Sequence, residues 1–418
     1  MQPYSYRDSG IEWLGKIPTH WRVQQLKRVA RLVYGGNLPA ESRVNGDISV
    51  YGSNGIVDSH DEAITSGATI IIGRKGSAGA INYSPTSCFP IDTAFYIDES
   101  KSYSDIRWLF YVLSDLGLDN LQTDSPVPGL PREIAERKCI CHPLLTEQRA
   151  IAGFLDEACG KIDAAIQVKR EQVAMLDVMA KAILNKAVLE GLNPTVPKQT
   201  INNIWFKTLP AHWQLRRLKD VSTMQTGVTL GKDYDGETDE RPYLRVANVQ
   251  DGHLALDDMK TIKLPPHLIR RYELQDGDVL MNEGGDLDKL GRGHVWHNEI
   301  PGCLHQNHVF ALRCFPHKLL PDYLTLLTSS THGRAYFEIM GKKTTNLASI
   351  NSTKVNLFPV PLPPVTEQAE IVQWVQYERG KLKQAQDAVN AQISVLEAYK
   401  KSLVHECVTG KKQVWRGG

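Results

Sequence analysis

The sequence predicts an α+β protein in which two mixed α/β units are each followed by one long helix, with the two helices pairing as an intramolecular coiled coil. Two observations predict this fold class. An opening segment, "PTHWRVQQLKRV" at 18–29, returns as "PAHWQLRRLKDV" at 210–221. Two proline-free segments, 146–190 and 366–410, carry apolar residues at the alternating spacing of a coiled-coil seam. Because each feature occurs twice, the chain is an internal repeat.

The repeat has two different offsets. The opening offset of 192 pairs Trp13 with Trp205, Pro18 with Pro210, Leu26 with Leu218 and Tyr51 with Tyr243. The closing offset of 220 pairs Thr146-Glu147-Gln148 with Thr366-Glu367-Gln368. The second half therefore holds 28 extra residues between an opening and a closing segment that both halves share.

The closing segments predict two helices of about 44 residues, roughly 65 Å each. The first seam reads Leu155, Cys159, Ile162, Ile166, Lys169, Val173, Leu176, Ala180, Ile183 and Ala187. The second seam reads Val375, Arg379, Leu382, Gln386, Val389, Ile393, Leu396, Lys400, Leu403 and Cys407. A narrow apolar stripe needs a partner stripe in water, so we expect the two helices to pair. The alternative is two unrelated helices, each packed on its own unit.

The segments before the helices predict mixed α/β units. Short apolar runs with Gly-rich turns, such as "GATIIIGRKGSAG" (67–79) and "GDVLMNEGGD" (277–286), are typical of strands. "IRWLFYVLSDL" (106–116) and "PDYLTLLTSS" (321–330) have helical spacing. The predicted domains are 1–145 for the first unit, 146–200 for the first helical spacer, 201–362 for the second unit and 363–418 for the second spacer.

The composition is that of an ordinary globular protein. A hydrophobic content of 42% with 23% charged residues argues against disorder. The formal net charge of +1 excludes no class of partner, because a nucleic-acid binder can be basic on one face alone. Seven cysteines without paired CxxC spacing argue against a disulfide or zinc framework. With no signal-peptide pattern and no apolar run long enough for a membrane span, we expect a cytoplasmic protein.

Catalytic motifs are not found in the sequence. It lacks a GxxxxGK[ST] phosphate loop, a GxSxG elbow, an HExxH helix and the Asn-Pro-Pro-aromatic tetrapeptide of amino-methyltransferases. His294, His297, His305 and His308 form two HxxH pairs, but no third ligand stands at a recognisable spacing, so we expect no metal site. The sequence thus favours a binding protein over an enzyme.

Polar, Gly-rich loops are the candidate nucleic-acid contacts, because Arg, Lys, Asn, Gln and Glu can bind phosphates or base edges. The candidates of the first half are Tyr51, Ser53, Asn54, Arg74, Lys75 and Ser77. Those of the second half are Arg245, Asn248, Asn282, Glu283, Asp286, Lys289, Arg292, Gln306, Asn307, His308, Lys342 and Lys343. The alternative is that these are ordinary β-turns, with Tyr51 and Tyr243 in the core.

Several of these segments together resemble the specificity (S) subunit of type I restriction-modification systems. The resemblance rests on "SGIEWLGKIPTHW", "YGSNGI…IIGRKGSAGA" and "PLPPVTEQ" leading into a long helix, and it spans nearly the whole chain. One departure is "CHPLLTEQ" (141–148), which lacks the double proline of 363–364.

The resemblance implies a specific architecture and set of partners. The two units would be target-recognition domains, each reading a short block of double-stranded DNA, and the two helices would pack antiparallel as a spacer, giving a pseudo-twofold repeat. Two methyltransferase (M) subunits with S-adenosylmethionine, and two motor-nuclease (R) subunits with ATP and Mg, would supply the chemistry, so this chain would bind no cofactor itself. The alternatives are a stand-alone coiled-coil DNA-binding or regulatory protein, and a self-sufficient nuclease or methylase.

Overall fold

The structure is a computed structural model that describes residues 5–121, 129–231, 234, 236–285, 287, 290–291, 293–343 and 348–414. The chain divides into two units. The first comprises Met1–Glu171 with Asn390–Gly418, and the second comprises Gln172–Val389. Each long helix therefore contributes one part to each unit.

The first unit contains short strands, two short helices and the start of the first long helix. Its elements are β1 (Tyr6–Asp8), β2 (Lys16–Pro18), β3 (Arg22–Gln25), β4 (Val33–Tyr34), β5 (Ile48–Gly52), β6 (Gly55–His60), β7 (Thr69–Gly73), β8 (Ile81–Ser84), β9 (Phe89–Pro90), β10 (Ala94–Asp98), α1 (Ile106–Asp115), α2 (Arg132–Arg137), β11 (Cys139–His142) and α3 (Leu145–Glu190).

The strands of the first unit form a four-stranded sheet in the order β4-β10-β7-β8, a three-stranded sheet β6-β5-β9 and the pairs β1-β2 and β3-β11. Strand β7 is buried along its whole length. Ile70 and Ile72 belong to the main core, whereas Ile71 packs with Tyr51 on the other face. Both faces of β7 are covered, which explains its uninterrupted apolar run.

The second unit has the same elements and several more. Its elements are β12 (Lys198–Thr200), β13 (Thr208–Pro210), β14 (Gln214–Arg217), β15 (Ser222–Thr226), β16 (Asp239–Leu244), β17 (Lys260–Leu264), α4 (Pro266–Tyr272), β18 (Asp278–Asn282), β19 (Gly284–Gly285), β20 (Gly293–Val295), β21 (Leu304–His305), β22 (Val309–Cys314), α5 (Pro321–Ser329), α6 (Thr331–Met340), β23 (Lys342–Lys343), β24 (Ala348–Ser349), α7 (Ser352–Asn356), β25 (Pro359–Leu362) and α8 (Val365–Val408).

The sheets of the second unit repeat those of the first. The order β15-β22-β18-β20 corresponds to β4-β10-β7-β8, and β17-β16-β21 corresponds to β6-β5-β9 with the same parallel pair. The pairs β12-β13 and β14-β25 correspond to β1-β2 and β3-β11. A further sheet, β19-β24-β23, is described in the second unit. The α+β content and the two long helices expected from the sequence are thus confirmed.

All but one of the extra residues of the second half enter as three insertions, and the remaining one lies between Pro18 and Tyr51. Equivalent pairing gives an offset of 192 at Pro18 and Pro210, and of 209 at Thr69 and Asp278. The offset rises to 215 at Asp98 and Arg313, and to 220 at Cys139 and Pro359. Helix α4 accompanies the first increase, and α6 with β23 and β24 accompanies the last.

The matching of Tyr51 with Tyr243 by sequence is wrong by one residue. The Tyr51 carbonyl accepts a hydrogen bond from Ile91, and in the second unit the Leu244 carbonyl accepts the equivalent bond from Gln306. Tyr51 packs against Ile71 and Ala94, whereas Tyr243 lies in a different cluster from Leu244. Because successive side chains of a strand point to opposite faces, a one-residue slip reverses the face. Tyr51 therefore corresponds to Leu244.

The seam positions chosen from the sequence are buried or half-buried with one exception, but Leu184, Val188 and Val404, which lie outside the seams, are buried as well. Leu155, Cys159, Ile162 and Ile166 are buried in the core of the first unit together with Leu403. Arg379 is the exception, because its side chain is exposed.

Polar contacts between α3 and α8 run in opposite chain directions in the first unit. In the first unit Lys400 Nζ lies 2.7 Å from Asp163 Oδ1, and Arg170 Nη2 lies 3.1 Å from Glu397 Oε1. In the second unit Gln386 donates to Asp177 at 2.6 Å. A coiled coil acting as a spacer stays a prediction.

Glycines end both long helices against the paired tryptophan segments. Gly191 (φ +79°) follows α3, and a Cβ there would lie 3.2 Å from Trp213. Gly410 (φ +74°) follows α8, and a Cβ there would lie 2.5 Å from Pro18 and 3.1 Å from Trp21. The left-handed conformation and the close approach both favour glycine at these two positions. Among the described residues, no helix combines the length and hydropathy that a membrane span requires.

Candidate nucleic-acid interface

A histidine–glutamate contact joins the opening of each unit to its closing helix. His20 Nε2 lies 3.0 Å from Glu147 Oε2, and His212 Nε2 lies 2.7 Å from Glu367 Oε2. Glu147 is completely buried, and Glu367 also accepts a hydrogen bond from the Trp213 indole at 3.1 Å. The repeated His-Trp and Thr-Glu-Gln segments thus contact each other in both units.

The glutamine that follows each glutamate fixes a helix of the α/β unit. Gln148 Oε1 accepts from the Asp105 backbone N–H at 2.9 Å, at the start of α1. Gln368 Oε1 accepts from the Leu320 N–H at 2.9 Å, at the start of α5. Each Nε2 donates to a proline carbonyl, of Pro143 or Pro363, at 2.9 Å. The missing second proline in "CHPLLTEQ" therefore leaves this contact unchanged.

Two loops of the first unit approach each other at the end of β7. A Cβ on Gly73 would lie 2.0 Å from the Ser77 carbonyl oxygen and 2.7 Å from that of Ser53. Only glycine permits this approach. Ser53 and Ser77 are half-buried, whereas Asn54 and Lys75 are exposed. The sequence-predicted loop residues are therefore brought together here.

Arg74 is held in place by both its backbone and its side chain. Its N–H donates to the Thr93 carbonyl at 2.9 Å, and its Nη1 donates to the Asp92 carbonyl at 2.7 Å. The guanidinium carbon lies 4.9 Å from the ring centre of Tyr34, a distance typical of cation–π contact. The side chain of Arg74 is therefore ordered before any ligand binds.

Tyr34 and Arg132 were not predicted from the sequence but belong to the same surface. Tyr34 is 51% exposed, and the guanidinium carbon of Arg132 lies 5.8 Å from the ring centre of Tyr34. The signal that could have found Tyr34 is an aromatic residue directly before Gly35-Gly36. Arg132 could not be found, because its nearness to Tyr34 depends on tertiary packing.

Tyr51 lies in the core, contrary to its choice as a DNA-contacting residue. It is 6% exposed and packs with Ile71, Cys88 and Ala94. Those three side chains are themselves buried, so the ring faces inward. Tyr51 is therefore a core residue, as the alternative interpretation of the sequence expected.

The second unit places Glu283, His308 and two lysines around one sheet. Glu283 Oε2 lies 2.8 Å from His308 Nδ1, and its side chain is 27% exposed. Gly284 and Gly285, directly after Glu283, pair with β24, which also pairs with Lys342 and Lys343. Both lysines are exposed. These four candidates therefore form one surface.

Two further candidates, Gln306 and Asn307, directly precede His308 and are held by backbone hydrogen bonds. The Gln306 N–H donates to Leu244 at 2.8 Å, and the Asn307 N–H donates to Val228 at 2.9 Å. Their side chains are half-buried. They remain candidates for contact.

Arg245, Asn248 and Asn282 are used inside the unit, which differs from the expected surface role. Arg245 donates to Asp258 Oδ2 at 2.8 Å, and this bond lowers the pKa of the Asp258 carboxyl. Asn248 Nδ2 donates to the Ala255 carbonyl at 2.8 Å, and Asn282 Nδ2 donates to the Val249 carbonyl at 2.8 Å. Both asparagines are buried, so they hold the chain in place.

Asp286, Lys289 and Arg292 lie outside the described residues. The HxxH histidines form no metal cluster among the residues that are described. His305 Nδ1 lies 2.7 Å from the Val309 carbonyl, and burial lowers its pKa to about 4. Burial also lowers the pKa of His294, whose ring centre lies 6.1 Å from that of His297.

Comparison with known proteins identifies part of the chain directly. Residues 210–385 match the family described as "Type I restriction modification DNA specificity domain". Over this segment, which is less than half of the chain, the sequence is similar to a type I restriction-modification specificity domain. This matched segment covers the second unit from Pro210 to the early part of α8 and includes the surface around Glu283.

Relatives of the specificity domain carry the same family name. The chain is 28% identical over 247 residues to the type I restriction enzyme EcoKI specificity subunit of Escherichia coli (strain K12), covering 56% of this chain and 49% of the relative. It is 24% identical over 279 residues to the StySPI specificity subunit of Salmonella potsdam, covering 66% and 58%. The matches thus span about half the length of these relatives. The resemblance found in the sequence is confirmed.

Solved structures share the fold. One chain, from work described as "Structural basis underlying complex assembly and conformational transition of the type I R-M system", has a TM-score of 0.68 at 16% identity, covering 95% of this chain and 99% of that chain. The HsdS subunit from Thermoanaerobacter tengcongensis has a TM-score of 0.51 at 15% identity, covering 95% and 98%. At these identities the likeness shows the fold alone.

Proposed function

We propose that this chain is the DNA sequence-recognition subunit of a type I restriction-modification complex, with one unit reading each half of a bipartite target. The observation that carries the proposal is the duplicated frame. His20–Glu147 and His212–Glu367 make the same contact in units whose loops differ. A repeated frame suits identical partners on both sides of a DNA duplex with approximate twofold symmetry, and different loops suit different base sequences.

The charges of the loops support DNA as the ligand. In the first unit the guanidinium groups of Arg74 and Arg132 lie over the exposed ring of Tyr34. Lys75 directly follows Arg74 and is exposed. In the second unit Lys342 and Lys343 are exposed beside Glu283. Such groups bind phosphates and base edges, and they do so although the net charge of the chain is only +1.

The two long helices are proposed to form an antiparallel coiled coil that acts as a spacer between the two readers. The contacts Lys400–Asp163 and Gln386–Asp177 support this pairing within the separate units. A helix pair is stiff, so the unread gap between the two half-sites would have a fixed length.

Partner subunits are proposed to do the chemistry. Two methyltransferase subunits would bind S-adenosylmethionine, and two motor-nuclease subunits would bind ATP and Mg, with this chain holding them on the target. Because these partners would supply much of the DNA-embracing surface, the isolated chain should bind DNA weakly and with little selectivity. Equally tight and selective binding by the isolated chain in a gel-shift titration would contradict this part of the proposal.

The decisive experiment is a map of N6-methyladenine in host DNA with and without this gene. A single bipartite motif that disappears with the gene is the expected result. The competing function is a stand-alone DNA-binding or regulatory protein. Absence of any such motif, together with failure of a methyltransferase to co-purify with the chain, would favour that alternative.

A further inference from the structure

Arg74 and Glu283 occupy the same place in the two units. The Arg74 N–H donates to the Thr93 carbonyl at 2.9 Å, and the Glu283 N–H donates to the His308 carbonyl at 2.9 Å. The Arg74 carbonyl accepts from Leu130 at 2.9 Å. The Glu283 carbonyl accepts from Ile350 at 2.8 Å. Each residue directly follows the buried central strand of its sheet, β7 or β18.

The side chains at this shared place have opposite charge. Arg74 is a permanent hydrogen-bond donor, whereas an ionised Glu283 can only accept. Because the backbone makes equivalent hydrogen bonds at this place in both units, the side chain is what differs there. Opposite charge at equivalent places suits two readers of unlike base sequences.

Both side chains are ordered by neighbours without being buried. The Arg74 guanidinium lies over Tyr34 and donates to Asp92 through Nη1, which leaves its other N–H groups for a ligand. Glu283 uses Oε2 toward His308, and Oε1 can accept a further hydrogen bond. A side chain held in advance loses little conformational entropy on binding.

The negative charge of Glu283 restricts which groups of DNA it can contact. A carboxylate near DNA is repelled by phosphates, so it is disfavoured unless a base amino group donates to it. Strand β24 pairs with Gly284 and Gly285 on one side and with Lys342 and Lys343 on the other. These two lysines can bind phosphates and so offset that repulsion. In the first unit the exposed Lys75 has the same phosphate-binding chemistry.

We infer that Arg74 and Glu283 are matched specificity-determining residues that read bases of opposite hydrogen-bonding character. Arg74 donates to the O6 and N7 acceptors of a guanine in the half-site read by the first unit. Glu283 accepts from the N4 amino group of a cytosine in the other half-site. This inference rests on the proposed function, because it requires that the two units read separate half-sites.

The test uses the full complex with its methyltransferase subunits and compares the wild type with Arg74→Gln and Glu283→Gln. Methylation mapping and binding to duplexes carrying each base at each target position are both measured. Arg74→Gln should lower discrimination at one guanine of one half-site by about ten-fold or more. Glu283→Gln should lower discrimination at one cytosine of the other half-site by a similar factor and favour adenine there, because a Gln amide can pair with adenine.

Matched controls are Arg137→Gln and Glu299→Gln. Arg137 is exposed on α2, with Glu133 3.9 Å away, and Glu299 accepts from the His297 backbone N–H in an exposed turn. Both should leave the recognised sequence unchanged. If a Gln variant fails to assemble, Arg74→Met and Glu283→Ala replace it, with loss of discrimination expected at the same single position because neither keeps the charged hydrogen-bonding group.

The possible failures are distinguishable. A wild-type complex that methylates no bipartite motif would overturn the proposed function. A wild-type complex with a bipartite motif, and variants that keep the base preference at every position, would overturn this inference alone. A change that spreads over both half-sites would also overturn it, because each residue is assigned to one half-site.

Discussion

His20 and Glu147, 127 positions apart in the chain, meet with Nε2 and Oε2 at 3.0 Å. The equivalent pair, His212 and Glu367, meets across 155 positions. The variable part of each unit lies between the two members of its pair. The pair therefore joins the opening segment of each unit to the start of its long helix. Loops of different length can be accommodated between these two fixed segments.

Removing the buried member of the pair should destabilise the first unit. We expect Glu147→Ala to lower the free energy of unfolding by about 2 kcal/mol, because it removes the contact with His20 and leaves a cavity at a completely buried position. Urea denaturation followed by circular dichroism measures the change. Glu157→Ala on the same helix is the control, since its pair with Lys161 is exposed and it should have no measurable effect. Equal effects of the two variants would contradict the structural role of the pair.

An isosteric change at Gln368 should be costly although it adds no volume. Its Nε2 donates to the carbonyls of Lys318 and Pro363, so Gln368→Glu would place a carboxylate oxygen against two acceptors. We expect the free energy of unfolding to fall by about 2 kcal/mol. Gln376→Glu, on the exposed face of the same helix, should leave the urea midpoint unchanged. An unaffected midpoint in both variants would show that Gln368 does not fix α5.

Acidification should destabilise the second unit through the buried His305 and the half-buried His332. Burial lowers the pKa of His305 and of His332 from 6.5 to about 4 in the folded state. The unfolded chain therefore binds more protons below about pH 6.5, so stability is complete above that pH and is lost as the pH falls toward about 4. From about pH 7.5 to about pH 5.5 each histidine should cost about 1 kcal/mol.

Urea titrations at several pH values measure this slope. His305→Gln should reduce it, because the variant has one fewer group that takes up a proton on unfolding. His317→Gln should retain the full slope, since His317 is exposed. Stability that does not change over this pH range would contradict the neutral, buried state of His305.

Lengthening both long helices should lengthen the unread gap of the target. Insertion of one heptad after Glu171 and one after Val389 would extend the proposed spacer by about 10 Å, or roughly three base pairs at about 3.4 Å each. Both half-sites should keep their sequences in a methylation map. An unchanged gap in an active complex would show that the helices do not set the distance.

The sequence alone predicted the duplicated frame and the long helices. The helices were predicted closely, as 146–190 and 366–410 against the observed Leu145–Glu190 and Val365–Val408. Their periodicity can be found in the sequence, because it depends only on the spacing of apolar residues along a continuous segment. Gly191 and Gly410 end them because a left-handed residue is also a local requirement.

The sequence was less informative about individual contacts. Tyr51, Asn248 and Asn282 have the residue types of a DNA surface, yet they are buried. The face on which a strand residue lies depends on the register of its strand. Matching the two halves by one constant offset does not detect a register shift of one residue. Arg132 was missed for a related reason, since its contact with Tyr34 joins segments about a hundred positions apart.

The sequence by itself determined that this protein is a repeat of two α/β units with two long helices, because repetition and periodicity are properties of the chain. Only the tertiary structure decided that Arg74 corresponds to Glu283 and Tyr51 to Leu244. Three longer insertions and one single-residue shift move the offset from 192 to 220, so equivalence is fixed by backbone hydrogen bonds that no count along the chain reveals.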